Sequence, residues 1–240
     1  MSLDNVYADA FRASSYAALE FPGTYYLAFR DVPALLGKHV VGTRALDFGC
    51  GAGRSTRFLR SLGFCVVGVD IAADMLAHAR ERDPDGDYRE VGENGERIAQ
   101  LQPVDVIFSA FTFDNVPALE RKLTILRELA GRLAPGGKLV NLVSSPEIYV
   151  HEWASFTTRE FPENRNARSG DSVKIVMTDV ADRRPVIDVV CSDADYRELY
   201  DRAGLELLET HRPLGRPDEP QRWVSETTVA PWSLYVLGKR

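Results

Sequence analysis

The stretch "ALDFGCGAGRSTRFL", Ala45 to Leu59, decides the reading of the chain: an apolar run reaches an aspartate, three alternate glycines follow, and an amphipathic segment begins. A glycine-rich turn between a strand and a helix lets a ligand approach the backbone, and the helix start offers unpaired N–H groups and a positive dipole end. The spacing is Gly49-Cys50-Gly51-Ala52-Gly53, whereas a dinucleotide fingerprint needs Gly or Ala one position later, where Arg54 stands. Asp47 beside the turn repels a pyrophosphate and attracts an ammonium or sulfonium group. The turn therefore suits a zwitterion.

Working outward, short apolar runs recur at 44–48, 65–70, 104–111 and 137–144, and helical patterns separate them. "STRFLRSLG" aligns Phe58, Leu59 and Leu62, and "AADMLAHARER" aligns Met75, Leu76 and Ala79. A third helix is predicted near 117–133, capped by Asn115, with Pro117 in its first turn and the breaker "PGG" at 135–137 after it. Strands alternating with helices imply an α/β fold with a parallel sheet and helices on both faces. After Ser144 the order changes. Strands at 172–179 and 184–192 read as an antiparallel hairpin added to the main sheet and covering a ligand. A helix over 193–204 follows, with Ser192 as cap and Gly204 as stop, and the segments 205–212 and 232–239 form a closing antiparallel pair.

The second half of the site is "VVGVDIAADML", where a strand ends in Asp70, placed to accept ribose hydroxyls or to cap the next helix. With "LDFGCGAGRST", "VVGVDIAADML", "VDVIFSAFTFDNV" and "LAPGGKLVN" in that order, residues 45–145 resemble the class I S-adenosylmethionine-dependent methyltransferases. The resemblance implies a Rossmann-like, mostly parallel seven-stranded sheet with an antiparallel last strand. It also implies S-adenosylmethionine as cofactor and S-adenosylhomocysteine as product. Carried over, Gly49, Cys50, Gly51 and Gly53 border the methionine and ribose, Asp47 attracts the amino group, and Asp70 holds the ribose. Ile71 and Met75 flank the adenine, which Glu93 and Asn94 meet at its edge, and Ser109 and Ala110 lie by the methionine moiety. The "NPPY"-type tetrad of DNA and protein amide methylators is absent, with "SAFT" in its place.

One domain is expected over 1–240: an N-terminal helical lid (1–43), a cofactor core (44–144), an insertion (145–192) and a C-terminal helix with a strand pair (193–240). Aromatic residues outside the cofactor motifs point to a flat substrate, because ring stacking adds about 0.5–1.5 kcal/mol beyond area burial. The candidates are Tyr7, Phe11, Tyr16 and Tyr25 from the lid, Phe111 and Phe113 after the fourth strand, and His151, Trp153, Trp223 and Trp232 further on; each of these also reads as ordinary packing. His151 is the candidate general base. The run of the chain, including "YVHEWASF", is similar to the azapteridine N-methyltransferases of toxoflavin biosynthesis, which implies a desmethyl azapteridine as substrate.

A net charge of -6 disfavours nucleic acid as a partner, and no run approaches the roughly 18 apolar residues that span a bilayer. The N-terminus shows no leader pattern, and three scattered cysteines indicate neither disulfides nor a metal site, so a cytoplasmic enzyme acting on a small heteroaromatic molecule is expected. Oligomeric state is not legible. A nicotinamide-dependent oxidoreductase and a non-catalytic cofactor-binding regulator are the other readings of the same layout.

Overall fold

The computed structural model describes residues 19–92 and 97–240. Two short helices, α1 (Thr24–Arg30) and α2 (Val32–His39), lead into β1 (Arg44–Phe48), α3 (Arg54–Ser61), β2 (Cys65–Asp70), α4 (Ala73–Arg82) and β3 (Asp87–Glu90). Then come β4 (Val104–Ala110), α5 (Leu119–Gly131) and β5 (Leu133–Ser144). The insertion carries β6 (Phe156–Thr157), β7 (Ser172–Met177) and β8 (Val186–Val189), and α6 (Asp193–Arg202), β9 (Leu205–His211) and β10 (Trp232–Lys239) close the chain. No helix among the described residues is long and apolar enough to cross a membrane.

The main sheet has seven strands in the order β3-β2-β1-β4-β5-β10-β9. All pairs from β3 to β5 are parallel, and β10 runs antiparallel between β5 and β9. The order reverses between β1 and β4, and ligands bind open α/β sheets in the crevice at the strand ends beside such a switch point. Side-chain alternation divides the interior into two layers. Ala45, Val106, Phe108, Val140 and Val236 face α1, α2, α3 and the insertion. Leu46, Ile107, Leu139, Tyr235 and Leu237 face α5 and α6.

The helix after β4 differs from its predicted start. It begins at Leu119 behind Ala118, with no side-chain cap. Ala118 itself is non-helical (φ 60°, ψ 132°), so Pro117 falls before the helix rather than in its first turn. Asn115 instead turns back and donates to the Phe111 carbonyl (3.2 Å). At α6 the structure agrees with the sequence: the Ser192 hydroxyl accepts from the Asp195 N–H (3.1 Å), and Gly204 follows at φ 75°.

The hairpin of β7 and β8 does not extend the main sheet. With β6 it forms a separate antiparallel three-stranded sheet, order β6-β7-β8. Val173, Ile175 and Met177 are buried in the layer that also holds Tyr25 and Trp232, so the insertion lies over the α1 side of the sheet.

A buried carboxylate ties these parts together. Glu226 is fully buried; one oxygen accepts from the Thr24 hydroxyl (2.6 Å) and the Ala154 N–H (2.8 Å), and the other accepts from the Val224 N–H (2.7 Å). Thr24 and Ser155 also exchange backbone–hydroxyl bonds of 2.9 and 3.0 Å. Gly23 has φ 47°, and a Cβ there would lie 2.3 Å from the Ser155 hydroxyl, so the entry to α1 requires glycine. Glu226→Ala leaves three donors without their acceptor and is expected to cost about 3 kcal/mol, lowering the melting temperature by about 6–12 °C in calorimetry.

Candidate active site

The glycine turn closes on β2. Gly49 and Cys50 both donate to the Val69 carbonyl (2.8 and 3.0 Å), and Gly53 donates to the Cys50 carbonyl (2.9 Å). Gly49 has φ 73°, and a Cβ there would meet the Thr112 hydroxyl at 2.0 Å. Gly53 has φ 79°, and its Cβ would meet the Tyr88 hydroxyl at 2.5 Å. Both positions thus need glycine for conformation and for space.

Asp70 stands at the end of β2 and binds the turn from below. One carboxylate oxygen accepts from Gly51 N–H (2.8 Å) and the other from Ala72 N–H (2.9 Å). Burial pushes its carboxyl up, and these backbone bonds pull the other way. Ile71 beside it is 45% exposed, an apolar wall facing solvent, and the Met75 methyl lies 3.2 Å from where a Gly51 Cβ would be. Glu93 and Asn94 lie outside the described residues.

Asp47 is fully buried on the same face. One of its oxygens accepts from Ser55 (2.7 Å) and Thr56 (2.6 Å) in the first turn of α3; the other has no partner. Burial pushes its carboxyl up to about 6, against the Thr56 and Ser55 hydrogen bonds. A buried, half-satisfied carboxylate beside a helix N-terminus fits an amino-acid head group, with the ammonium drawn to the acid and the carboxylate to the helix end. Because the folded value lies above the ordinary 3.8, the native state holds the proton more tightly, and the ionised form prevails only above about pH 6. Affinity for S-adenosylhomocysteine is therefore expected to fall by about tenfold from pH 7 to pH 5, and Asp47→Asn to flatten that profile in calorimetric titration.

The end of β4 sorts the remaining candidates. Ser109 is fully buried and shares the face of Ile107, so only its backbone reaches the crevice; Ala110 lies on the Phe108 side. Phe111 then adopts φ 64°, a strained conformation for a bulky residue and of the kind that marks functional sites. Its ring lies 4.8 Å from Trp232 and 5.7 Å from Tyr25. Tyr25 stacks on Trp232 (5.8 Å, 26°), and Phe156 lies 5.1 Å from Tyr25. These four rings from α1, the β4 end, the insertion and β10 pack on one another as an aromatic cluster; Tyr25, Phe156 and Trp232 are buried, and Phe111 is its partly exposed member.

The other aromatic candidates stand apart from it. Phe113 is fully buried in the α5 layer, 6.0 Å from Phe48, because the turn at 112–115 sends it through to the opposite face. Trp153 is buried and donates to the Ile148 carbonyl (2.8 Å), which makes it packing of the insertion. Trp223 donates to the Arg216 carbonyl (3.0 Å) and neighbours Tyr26. His151 has Trp153 as its ring neighbour at 6.0 Å, away from the four rings of the cluster. Tyr7, Phe11 and Tyr16 lie outside the described residues.

The sequence reading left Phe156, Phe29 and Arg54 without a role. Arg54 occupies the position where the dinucleotide fingerprint fails, with its guanidinium carbon 4.9 Å from the Tyr25 ring centre, and a cation there was the available signal. A cavity of about 520 Å3 opens nearby, lined by Leu19, Glu20, Phe21, Pro22 and Val180 among others.

Residues 46–141 match a family model described as a methyltransferase domain. A trans-aconitate 2-methyltransferase of Rhodopseudomonas palustris (strain BisA53) is 32% identical over 71% of this chain, and the match spans only 57% of that relative's length. An N-demethylindolmycin N-methyltransferase of Streptomyces griseus is 25% identical over 86% of this chain and 88% of its own. Among solved structures, the CcbJ methyltransferase from Streptomyces caelestis superposes with a TM-score of 0.62 at 19% identity, covering 92% of this chain and 100% of that one. The glycine turn, the two carboxylates and the strand order agree with this likeness: residues 46–141 carry a methyltransferase domain, and the chain has the class I S-adenosylmethionine-dependent methyltransferase fold.

Proposed function

We propose that this chain methylates a small planar molecule that docks on the Phe111 side of the aromatic cluster, and that the acceptor is a ring nitrogen of a heterocycle such as a desmethyl azapteridine. The observation that carries the reading is the aromatic cluster at the end of β4, with the strained Phe111 as its partly exposed member. Flat rings held by edge and face contacts select a flat partner. A trans-aconitate and an indolmycin precursor, named for two relatives, are also small molecules.

When bound, S-adenosylmethionine supplies an electrophilic methyl carbon on a sulfonium. Asp47 and the first turn of α3 hold the amino-acid head, and Asp70 takes the ribose hydroxyls. Phe111, held from behind by Tyr25 and Trp232, would fix the plane of the acceptor, so that its nucleophilic atom is aligned with little freedom. Such alignment supplies about 7–11 kcal/mol of a displacement barrier. His151 lies with Trp153 in the insertion, so the reading assigns it no proton transfer. A nucleophile with an available lone pair, such as a ring nitrogen whose proton is already lost, needs no enzymic base.

The experiment is mass spectrometry of a reaction containing S-adenosylmethionine and the doubly desmethylated azapteridine. Gains of one and then two methyl masses, matched by S-adenosylhomocysteine, support the reading. An unchanged azapteridine beside a methylated trans-aconitate replaces the heterocycle with a carboxylic acid.

A further inference from the structure

We infer that Thr112 is a positioning residue of the methyl-transfer site: its side chain sets the glycine turn, which would hold the methyl donor, against Phe111, the proposed platform for the acceptor, so that filling the turn is felt at Phe111 and its neighbour Trp232. This rests on the methyltransferase reading above and adds a link between the two halves of its site.

Thr112 stands directly after Phe111 and opens the turn that follows β4. Its hydroxyl donates to the carbonyl of Phe48, the last residue of β1 (2.9 Å). The same side chain fills the space beside Gly49. A Cβ at Gly49 would lie 2.0 Å from the Thr112 hydroxyl oxygen, 2.4 Å from its methyl carbon and 2.7 Å from its Cβ. Gly49 is left-handed (φ 73°) and bears no side chain, so Thr112 lies against the backbone of the glycine turn. Glycine at 49 and threonine at 112 are complementary in shape, and a hydrogen bond joins their segments.

On its other side Thr112 is bonded to a residue with little freedom. Phe111 is left-handed (φ 64°); its N–H donates to the Leu142 carbonyl (2.8 Å), and its carbonyl accepts from the Asn115 amide (3.2 Å). Its ring packs 4.8 Å from Trp232. Immediately after Thr112, the Phe113 carbonyl accepts from the buried Lys122 ammonium. A turn fastened on both sides of Thr112 moves as a piece, because close-packed interiors transmit strain rather than absorb it. Strained backbone persists only while its surroundings hold it, which makes Phe111 sensitive to small shifts at Thr112. A ligand pressing on the glycine turn therefore meets Thr112 first, and Phe111 through it.

The test is fluorine NMR of the chain carrying 5-fluorotryptophan, titrated with S-adenosylhomocysteine, for the wild type, Thr112→Val and Thr112→Ser. The three tryptophan signals are assigned with single tryptophan-to-phenylalanine variants, and affinity is read by calorimetry on the same samples. In the wild type the Trp232 signal is expected to move on binding, while those of Trp153 and Trp223, which lie off the cluster, stay. Thr112→Val keeps the shape and loses the donor. It is expected to lose the Trp232 response while affinity stays within about threefold, because the hydroxyl bonds protein and not ligand. Thr112→Ser keeps the donor and is expected to retain the response. A merely structural threonine would lower the melting temperature of Thr112→Val and leave the response intact; that result overturns the inference, as does a wild type that binds without a Trp232 response. A loss of more than about tenfold in the affinity of Thr112→Val also overturns it, since the hydroxyl then serves the ligand itself. Thr112→Ala supplies the same comparison if the valine variant does not fold. A wild type that binds no S-adenosylhomocysteine in calorimetry refutes the methyltransferase reading beneath, a result distinct from all of these.

Discussion

Asp70→Ala is expected to weaken binding of S-adenosylhomocysteine by about 100-fold or more. The carboxylate does two things at once. Its bonds to the Gly51 and Ala72 N–H groups hold the glycine turn against the start of α4. In the proposed function it is also the anion at the end of β2 toward which ribose hydroxyls would donate. Hydrogen bonds to a charged acceptor contribute about 1.5–3 kcal/mol each, so losing two in the complex accounts for that factor. Asp70→Asn keeps one acceptor oxygen for the turn and is expected to fall between the two. A loss of less than about fivefold in Asp70→Ala would remove the ribose role, because two charged hydrogen bonds cannot vanish so cheaply.

Lys122→Met is expected to destabilise the protein by about 3–5 kcal/mol, with a fall in melting temperature of about 10 °C or more. Lys122 is fully buried in α5, and its ammonium donates to the Phe113 carbonyl. Asp114 and Asp188, both buried, are its acidic neighbours. Burial pushes the Asp114 carboxyl up to about 6, and burial together with the Asp114 charge pushes Asp188 up to about 8. Both acids therefore hold a proton more readily than a free carboxyl, and the Lys122 charge opposes that tendency in each. Asp114 accepts from the Ser144 N–H (3.0 Å), and Asp188 accepts from the Tyr149 hydroxyl (3.0 Å). The cluster thus fastens β8 to the turn that carries Phe111. Methionine fills the space but removes the counter-charge of Asp114, which must then stay ionised at a cost or take up a proton. Adding Asp114→Asn is expected to restore part of the loss in a double-mutant cycle; full additivity would show that the pair does not interact.

Strands buried on both faces were legible because parallel strands under two helical layers read as continuous apolar runs, as in "CVVGVD" and "VDVIFSA". The edge strand β3 has Tyr88 as its one buried residue and shows no such run. The hairpin was visible in the alternation of Val173, Ile175 and Met177, but that pattern is silent about which sheet a strand joins. Its neighbour β6 is two residues long. At the site, the glycine turn and Asp70 were readable because both halves are local in sequence. The aromatic cluster was not, because Tyr25 and Trp232 meet only after the sheet is assembled. Phe111 and Phe113, two positions apart, were expected side by side; the left-handed backbone at Phe111 separates them into opposite layers. Thr112 needed the glycine turn folded against it before its position meant anything.

The most direct test of the central claim is calorimetric titration of the wild-type chain with S-adenosylhomocysteine and, separately, with NADH. The turn that lacks a glycine or alanine at Arg54 and buries Asp47 predicts saturable one-to-one binding of S-adenosylhomocysteine and no heat from NADH. Binding of NADH with none of S-adenosylhomocysteine would contradict that account and return the glycine turn to a dinucleotide.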